Sequence, residues 1–475
     1  MDIPFKKQTA ALCLLTIIVF NPGFQHNALS QSLPKNVEFW LTNPDRSALF
    51  AKQPGTLSFR TTTDANPTID IDATKTFQSI EGFGYTLTGG SAMLINRMDA
   101  KAKAALLKEL FSTEGKNIGV SYLRLSIGAS DLDDRVFSYD DLPDGQTDVR
   151  LEKFSLTHDR IHLIPVLKQI LAINPNLKIL GSPWSPPTWM KTNNNSKGGS
   201  LKLDYYDTYA QYFVKYIQGM KAEGIRIDAI TIQNEPLHPG NNPSLLMLPT
   251  EQATFIKKSL GPAFKKAGIE TKIFLYDHNA DRPDFPISIL NDPEAKKYVD
   301  GSAFHLYAGP IEALTKVHDA HPDKNLYFTE QWIGAPGNLK GDLAWHVKTL
   351  IIGATRNWSR TVLEWNLAAD PKQQPHTIGG CTECLGAITI AGNIITRNPA
   401  YYNVAVASKF VRPGSIRIQS NTLETLPNVA FKTPDGQKVV IVLNTKDVVQ
   451  PFNIRENGKQ VSTSLPAGSV GTYVW

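Results

Sequence analysis

Cysteine is almost missing from this chain: its 475 residues hold three. Two of them, Cys381 and Cys384, form a C-T-E-C run with no second Cys or His pair nearby, which excludes a closed zinc site and a disulfide-built scaffold. The pair reads either as a local disulfide or as two quiet thiols. A glycine-rich phosphate loop is also lacking. Gly82-Phe83-Gly84 has neither the third glycine nor the downstream acidic partner that a dinucleotide site needs. Charge of one sign is not concentrated, with 49 Lys and Arg against 44 Asp and Glu. That balance is too even and too dispersed to address nucleic acid. Nothing calls for a metal or an organic cofactor.

Long apolar runs are confined to the start. Lys6 and Lys7 precede an apolar stretch from Ala10 to Phe20, and Ala28-Leu29-Ser30 follows as a small-x-small pattern. The stretch is short for a span of about 20 residues, so residues 1–30 are expected to be a secretory signal peptide. The mature protein is then secreted, to the periplasm or outside the cell, with no stable membrane insertion. Oligomeric state leaves no trace in the sequence.

What is present is enough apolar residue, 41%, for a large core. From Phe77 to Phe410 short apolar strands alternate with amphipathic segments. The strands are expected at Phe77–Ile80, Ser121–Ile127, Leu177–Leu180, Ile227–Ile232, Lys272–Tyr276, Gly301–Phe304, Asn325–Phe328 and Arg360–Leu363. Helical periodicity marks Ala100–Phe111, with Asp99 as its N-cap, and Arg160–Ile173, Tyr205–Ala222 and Glu251–Ala267. This alternation predicts an α/β fold, a (β/α)8 TIM barrel over residues 76–410. After Ile416 the pattern changes to alternating runs separated by turn signals such as Pro434-Asp435-Gly436. Together with the strand-like Val37–Ile71, it predicts a β-sandwich built from both chain ends, residues 31–75 and 411–475.

In such a barrel chemistry gathers where strands end at their C-terminal side. Two glutamates stand there: Glu235 after Ile227–Gln233, and Glu330 after Asn325–Thr329. A lone glutamate is ordinarily a surface ion pair, but the other strand ends are polar and aromatic too. They include Arg124, Asp131, Trp184, Trp189, Asn234, Asp277, His278, His305, Tyr307, Trp332, Trp365 and Asn366. Aromatic faces stack on sugar C–H groups, and fixed polar side chains hold hydroxyls, so the set suits a carbohydrate. Trp189, Trp365 or His305 could equally pack in the core. Arg124, inside an apolar strand, needs carboxylate partners. A nucleophile kept ionised by Arg124 or a tyrosine hydroxyl, beside an acid raised by less polar surroundings, would divide the two roles.

These stretches resemble glycoside hydrolase family 30, which includes glucosylceramidases and microbial β-1,6-glucanases. The resemblance rests on Gln78–Gly84, Ser182-Pro183-Trp184 through Thr192, Asn234-Glu235-Pro236, His305-Leu306-Tyr307, Thr329-Glu330 and Glu364–Ala368. It implies retention of anomeric configuration, with Glu235 as acid/base, Glu330 as nucleophile and Asn234 on the sugar's 2-hydroxyl. One departure bears on substrate: glucosylceramidases carry an aspartate after the first strand, where this chain has Gly89. Loss of that carboxylate, with Pro236–Gly240, favours the β-1,6-glucanase branch and a β-glucan substrate over a glucosylceramidase or exo-β-glucosidase. Xylan-cleaving relatives and a non-catalytic carbohydrate-binding protein are the other readings; the latter would usually have lost one glutamate.

Overall fold

The computed structural model describes residues 1–4 and 36–475; the expected signal peptide lies largely outside them. Eight parallel strands close into a barrel. They are β1 (Gly82–Thr86), β2 (Tyr122–Ile127), β3 (Lys178–Pro183), β4 (Ala229–Thr231), β5 (Lys272–Asn279), β6 (Gly301–His305), β7 (Asn325–Glu330) and β8 (Ser359–Glu364). Helices such as Ala100–Phe111, Leu163–Ile173 and Tyr206–Ala222 cover the outside. The barrel's floor is filled by Tyr122, Leu180, Phe274, Tyr327 and Leu363, with Phe274 stacked on Tyr327 at 3.7 Å. It is therefore a packed core and not a channel.

Two expectations are corrected. Phe77–Ile80 is not the first barrel strand: Phe77 to Ser79 end a twelve-residue strand, Thr68–Ser79, that belongs to the side domain. The true β1 is disguised by its glycines. A Cβ on Gly84 would sit 1.8 Å from the Tyr122 carbonyl oxygen, so the close approach of β1 to β2 excludes any side chain there. The second correction is to Glu251–Ala267, which is a helix in three parts. A π-helical segment, Ile256–Leu260, separates Pro249–Phe255 from Gly261–Ala267, where Pro262 cannot donate a regular helix bond.

The side domain is nine strands in one hydrogen-bonded order. Glu38–Thr42 pairs with Val470–Val474, and Thr68–Ser79 pairs with both Ile416–Ser420 and Gln450–Glu456. Both chain ends thus build it, as the sequence pattern predicts. Strand alternation divides its apolar residues between two cores. From Lys438–Leu443, Val440 and Val442 face the sandwich interior, while Val439, Ile441 and Leu443 join the barrel's helical layer. Among the described residues no helix is long and apolar enough to cross a membrane.

Candidate active site

A cavity of about 380 Å³ opens at the C-terminal end of the barrel strands. The strand ends are shaped locally to aim side chains into it. Asn234 N–H donates to the Pro183 carbonyl and Glu235 N–H to the Asp277 carbonyl, so the loop after β4 is pinned between β3 and β5. Glu235 has φ +47° and Asp277 φ +61°. Side-chain-bearing residues rarely adopt this left-handed region, and it recurs where a functional group must be pointed. Register shifts interrupt β5 between Tyr276 and His278, and β7 between Phe328 and Glu330. Such bulges redirect the residues that follow.

Arg124 organises the floor of this cavity. Fully buried on β2, its guanidinium donates to Glu330 Oε2 at 2.5 Å, Asn234 Oδ1 at 2.6 Å, Asp277 Oδ2 at 2.8 Å and Ser182 Oγ at 3.1 Å. Asp277 also accepts from Thr231 and Thr329 hydroxyls and pairs with His305 Nε2 at 3.1 Å. Burial alone would raise Asp277, but Arg124 and His305 hold it well below the usual carboxylate range. It is a fixed anion, not an acid.

His305 stands between the two glutamates. Its Nδ1 lies 3.3 Å from Glu235 Oε1 and 3.6 Å from Glu330 Oε1. Both carboxyl groups therefore face the same imidazole nitrogen. Burial opposes its charge, yet Glu330, Asp277 and Glu235 push it up to about 9. Burial is the largest influence on Glu235 and raises it, but the His305 hydrogen bond and charge, with His278 and His238, together outweigh burial and the carboxyl lies below its ordinary value. Glu330 lies above its ordinary value, because burial, with repulsion from Glu235 and Asp277, outweighs His305 and Arg124. The site thus reverses the environments expected from sequence. Arg124 is shared with Asp277, and the imidazolium sits nearer Glu235. The three groups hold their protons jointly, and the His305–Glu235 contact is the route by which Glu235 can receive one.

The remaining wall is aromatic. Trp184 and Trp365 lie 5.4 Å apart between ring centres, Trp332 packs beside them, and the Arg124 guanidinium sits 4.8 Å over Trp184. Tyr307 donates its hydroxyl to Glu330 Oε1 at 2.9 Å. Asn234, Asp131, His238, Asn241, His278, Asn279 and the Cys381–Cys384 disulfide complete the lining. Of the two readings of that cysteine pair, the structure has the disulfide.

Of the residues singled out from sequence, Asn234, Glu235, Glu330, Asp131, His278, Trp184, Tyr307, Trp332 and Trp365 line the cavity. Arg124, Asp277 and His305 lie fully buried behind it and act on its walls. Two others are not brought to it. Trp189 packs edge-on against Tyr205, with its indole N–H on the Asp140 carbonyl. Asn366 is buried and donates to the Ala368 carbonyl. A strand-end position alone does not distinguish a side chain pointing inward from one folded back on its loop. Asn241, 3.4 Å from Glu235 Oε2, was missed because it lies deep in a loop with no strand to announce it.

Gly89 gains a structural reason. A Cβ there would fall 1.7 Å from a carboxylate oxygen of Asp133. Asp133 is itself held by the Ser130 N–H and hydroxyl, so the space beside β1 already contains a carboxyl from another segment. The carboxyl that does reach the cavity is Asp131, which accepts from the Cys381 N–H at 3.2 Å. Burial and repulsion by Glu330 and Glu235 push it up to about 7.

Comparison with known sequences and structures adds the following. The glycosyl hydrolase family 30 TIM-barrel domain matches residues 80–411, and the family's beta sandwich domain matches residues 414–473. An endo-1,6-beta-D-glucanase of Aspergillus fumigatus is 36% identical over 86% of this chain and 87% of its own length. The lysosomal acid glucosylceramidase of Mus musculus is 30% identical over 86% of this chain and 83% of its own. Among solved structures, an endo-beta1,6-glucanase superposes with TM-score 0.87 at 34% identity, covering 93% of this chain and 99% of that one.

Proposed function

Because the chain belongs to glycosyl hydrolase family 30, a family of retaining glycosidases, we propose that it hydrolyses β-1,6-glucan by double displacement, with Glu330 as nucleophile and Glu235 as acid/base. The observation that carries the reading is the pair of carboxyls on one imidazole edge, at the base of a tryptophan-lined cavity. Glu330 attacks the anomeric carbon while Glu235, protonated, gives its proton to the departing oxygen. Glu235 then takes a proton from the water that releases the sugar. Tyr307 and Arg124 orient Glu330 through its two different oxygens. Asn234, fixed by Arg124, faces the sugar's 2-hydroxyl.

Two observations support the linkage. The 1,6-glucanase relative shares more of the sequence than the glucosylceramidase, and the Gly89 position has no carboxyl of its own to offer a terminal glucose. The leader-like start and the disulfide support secretion into an oxidising compartment. Product analysis on linear β-1,6-glucan, glucosylceramide and xylan tests the reading. Short β-1,6-linked oligosaccharides are expected from the first. Glucose from the second with an intact glucan would replace the substrate and keep the mechanism; inactivity on all three would leave a binding protein.

A further inference from the structure

Glu235 is approached by two histidines, only one of which has a clear task in the reaction. His305 is held from behind: its Nε2 contacts Asp277 at 3.1 Å, leaving Nδ1 directed at Glu235. This is the arrangement in which a carboxylate fixes an imidazole so that its other nitrogen can ligate a metal. His278, on the same strand as Asp277, is buried, with Nδ1 3.8 Å from Glu235 Oε1 and no hydrogen-bond partner among the described residues. A buried ring nitrogen left unpartnered is uncommon in a folded protein. One ligand atom from each of Glu235, His278 and His305 lies within 4.8 Å of the other two.

We infer that Glu235, His278 and His305 form a two-histidine, one-carboxylate site for a divalent transition ion, Zn²⁺ or Cu²⁺, whose binding blocks the glycosidase by engaging Glu235. Bond lengths of about 2.0–2.2 Å in a tetrahedron place ligand atoms roughly 3.4 Å apart. The contacts of 3.3 and 3.8 Å to Glu235 already bracket that spacing. The third edge, no longer than 4.8 Å, has to shorten by up to about 1.4 Å to reach that spacing. Two imidazoles select against Mg²⁺ and Ca²⁺, which prefer all-oxygen sites. The cavity side of the triangle gives the ion its way in and leaves its fourth position for water. The site is therefore an off-switch set by metal availability. Its ligands include the proposed acid/base, but metal binding can be read without any substrate.

Titration calorimetry of the full chain with Zn²⁺ tests the inference. One ion per chain is expected, with affinity weakened at least about tenfold in His278→Gln and unchanged in His238→Gln, which alters the same cavity outside the triangle. Cu²⁺ bound to the wild-type protein should show two coordinated nitrogens by electron paramagnetic resonance, a readout that needs no variant to fold. In activity assays Zn²⁺ should inhibit reversibly, with chelator restoring the rate and equimolar Mg²⁺ having no effect. No binding by the wild type, equal Zn²⁺ affinity in wild type and His278→Gln, or a copper spectrum with fewer than two nitrogens would overturn it.

Discussion

The two ends of the barrel are made from the same kinds of residue and do different things. At the floor, a cavity of about 1060 Å³ is lined by Glu81, Lys178, Asp228, Lys272 and Arg360, among others. Lys178 and Arg226 both meet Asp228, while Lys272 meets Glu81 and Asp300. These lysines and Arg226 keep a third or more of their side chains in water. At the mouth, the smaller cavity draws on Asp131, Glu235, Glu330 and Asp277 with Arg124, His278 and His305 among them, nearly all out of solvent. Size does not mark the reactive end. Reactivity follows from charges that are buried and must be shared, because such groups cannot settle into private pairs and their protons are held in common.

The contrast breaks most visibly in the rate. Glu330→Gln removes the proposed nucleophile and should abolish turnover to the limit of assay. Glu235→Gln should cost about 10²–10⁴-fold on glucan and far less on aryl glycosides whose leaving group needs no proton. Equal losses on both substrates would dismiss the role given to Glu235. Next comes stability. Arg124→Met strands Glu330 and Asp277 as buried charges and should cost about 3–5 kcal/mol, measured by denaturant unfolding. Lys178→Met at the floor, where Arg226 still faces Asp228, should cost about 1 kcal/mol or less. Similar losses at both ends would erase the distinction.

How far this was legible beforehand depended on what each strand carries. Seven barrel strands show as apolar runs, and the residues just past them include both glutamates. β1 was misplaced because its glycines carry no apolar signal, while the neighbouring Phe77–Ile80 imitates a barrel strand. The side-chain directions of Trp189 and Asn366 depend on loop packing that no periodicity encodes. Arg124 was legible for a physical reason: a guanidinium in an apolar strand demands partners, and the structure supplies Glu330, Asp277 and Asn234.

Smaller effects sharpen the picture at the mouth. Burial pushes Asp131 and Asp159 up to about 7 and Asp133 to about 8, and Glu330, Asp277 and Glu235 raise His305 to about 9. In the unfolded chain carboxyls titrate near 4 and imidazole near 6.5 (about the model-peptide values). The folded protein therefore binds more protons between those values and the raised ones. The stability these groups contribute should fall as pH rises above their unfolded values and be lost once pH has passed through the range from about 7 to 9. Asp277 works in the opposite sense, its contribution being present above its unfolded value and lost only in strong acid. Melting temperatures should decline from neutral to alkaline pH, with a shallower slope in Asp133→Asn; a rise would refute the assignment. The smallest effect belongs to the cysteines. A Cys381→Ser, Cys384→Ser double variant should raise KM several-fold and leave kcat nearly intact, because the disulfide braces the cavity wall without touching the reacting atoms.

The collision between a side chain at residue 89 and Asp133 makes the two positions one choice. Gly89→Asp alone would drive two carboxyls into the same volume, and Asp133→Gly alone would leave Ser130 without its acceptor. Each single step disturbs the other position, so the identity of residue 89 and that of residue 133 are linked. A redesign toward terminal glucose that places a carboxyl at residue 89 would have to reshape the Asp133 side of the pocket as well.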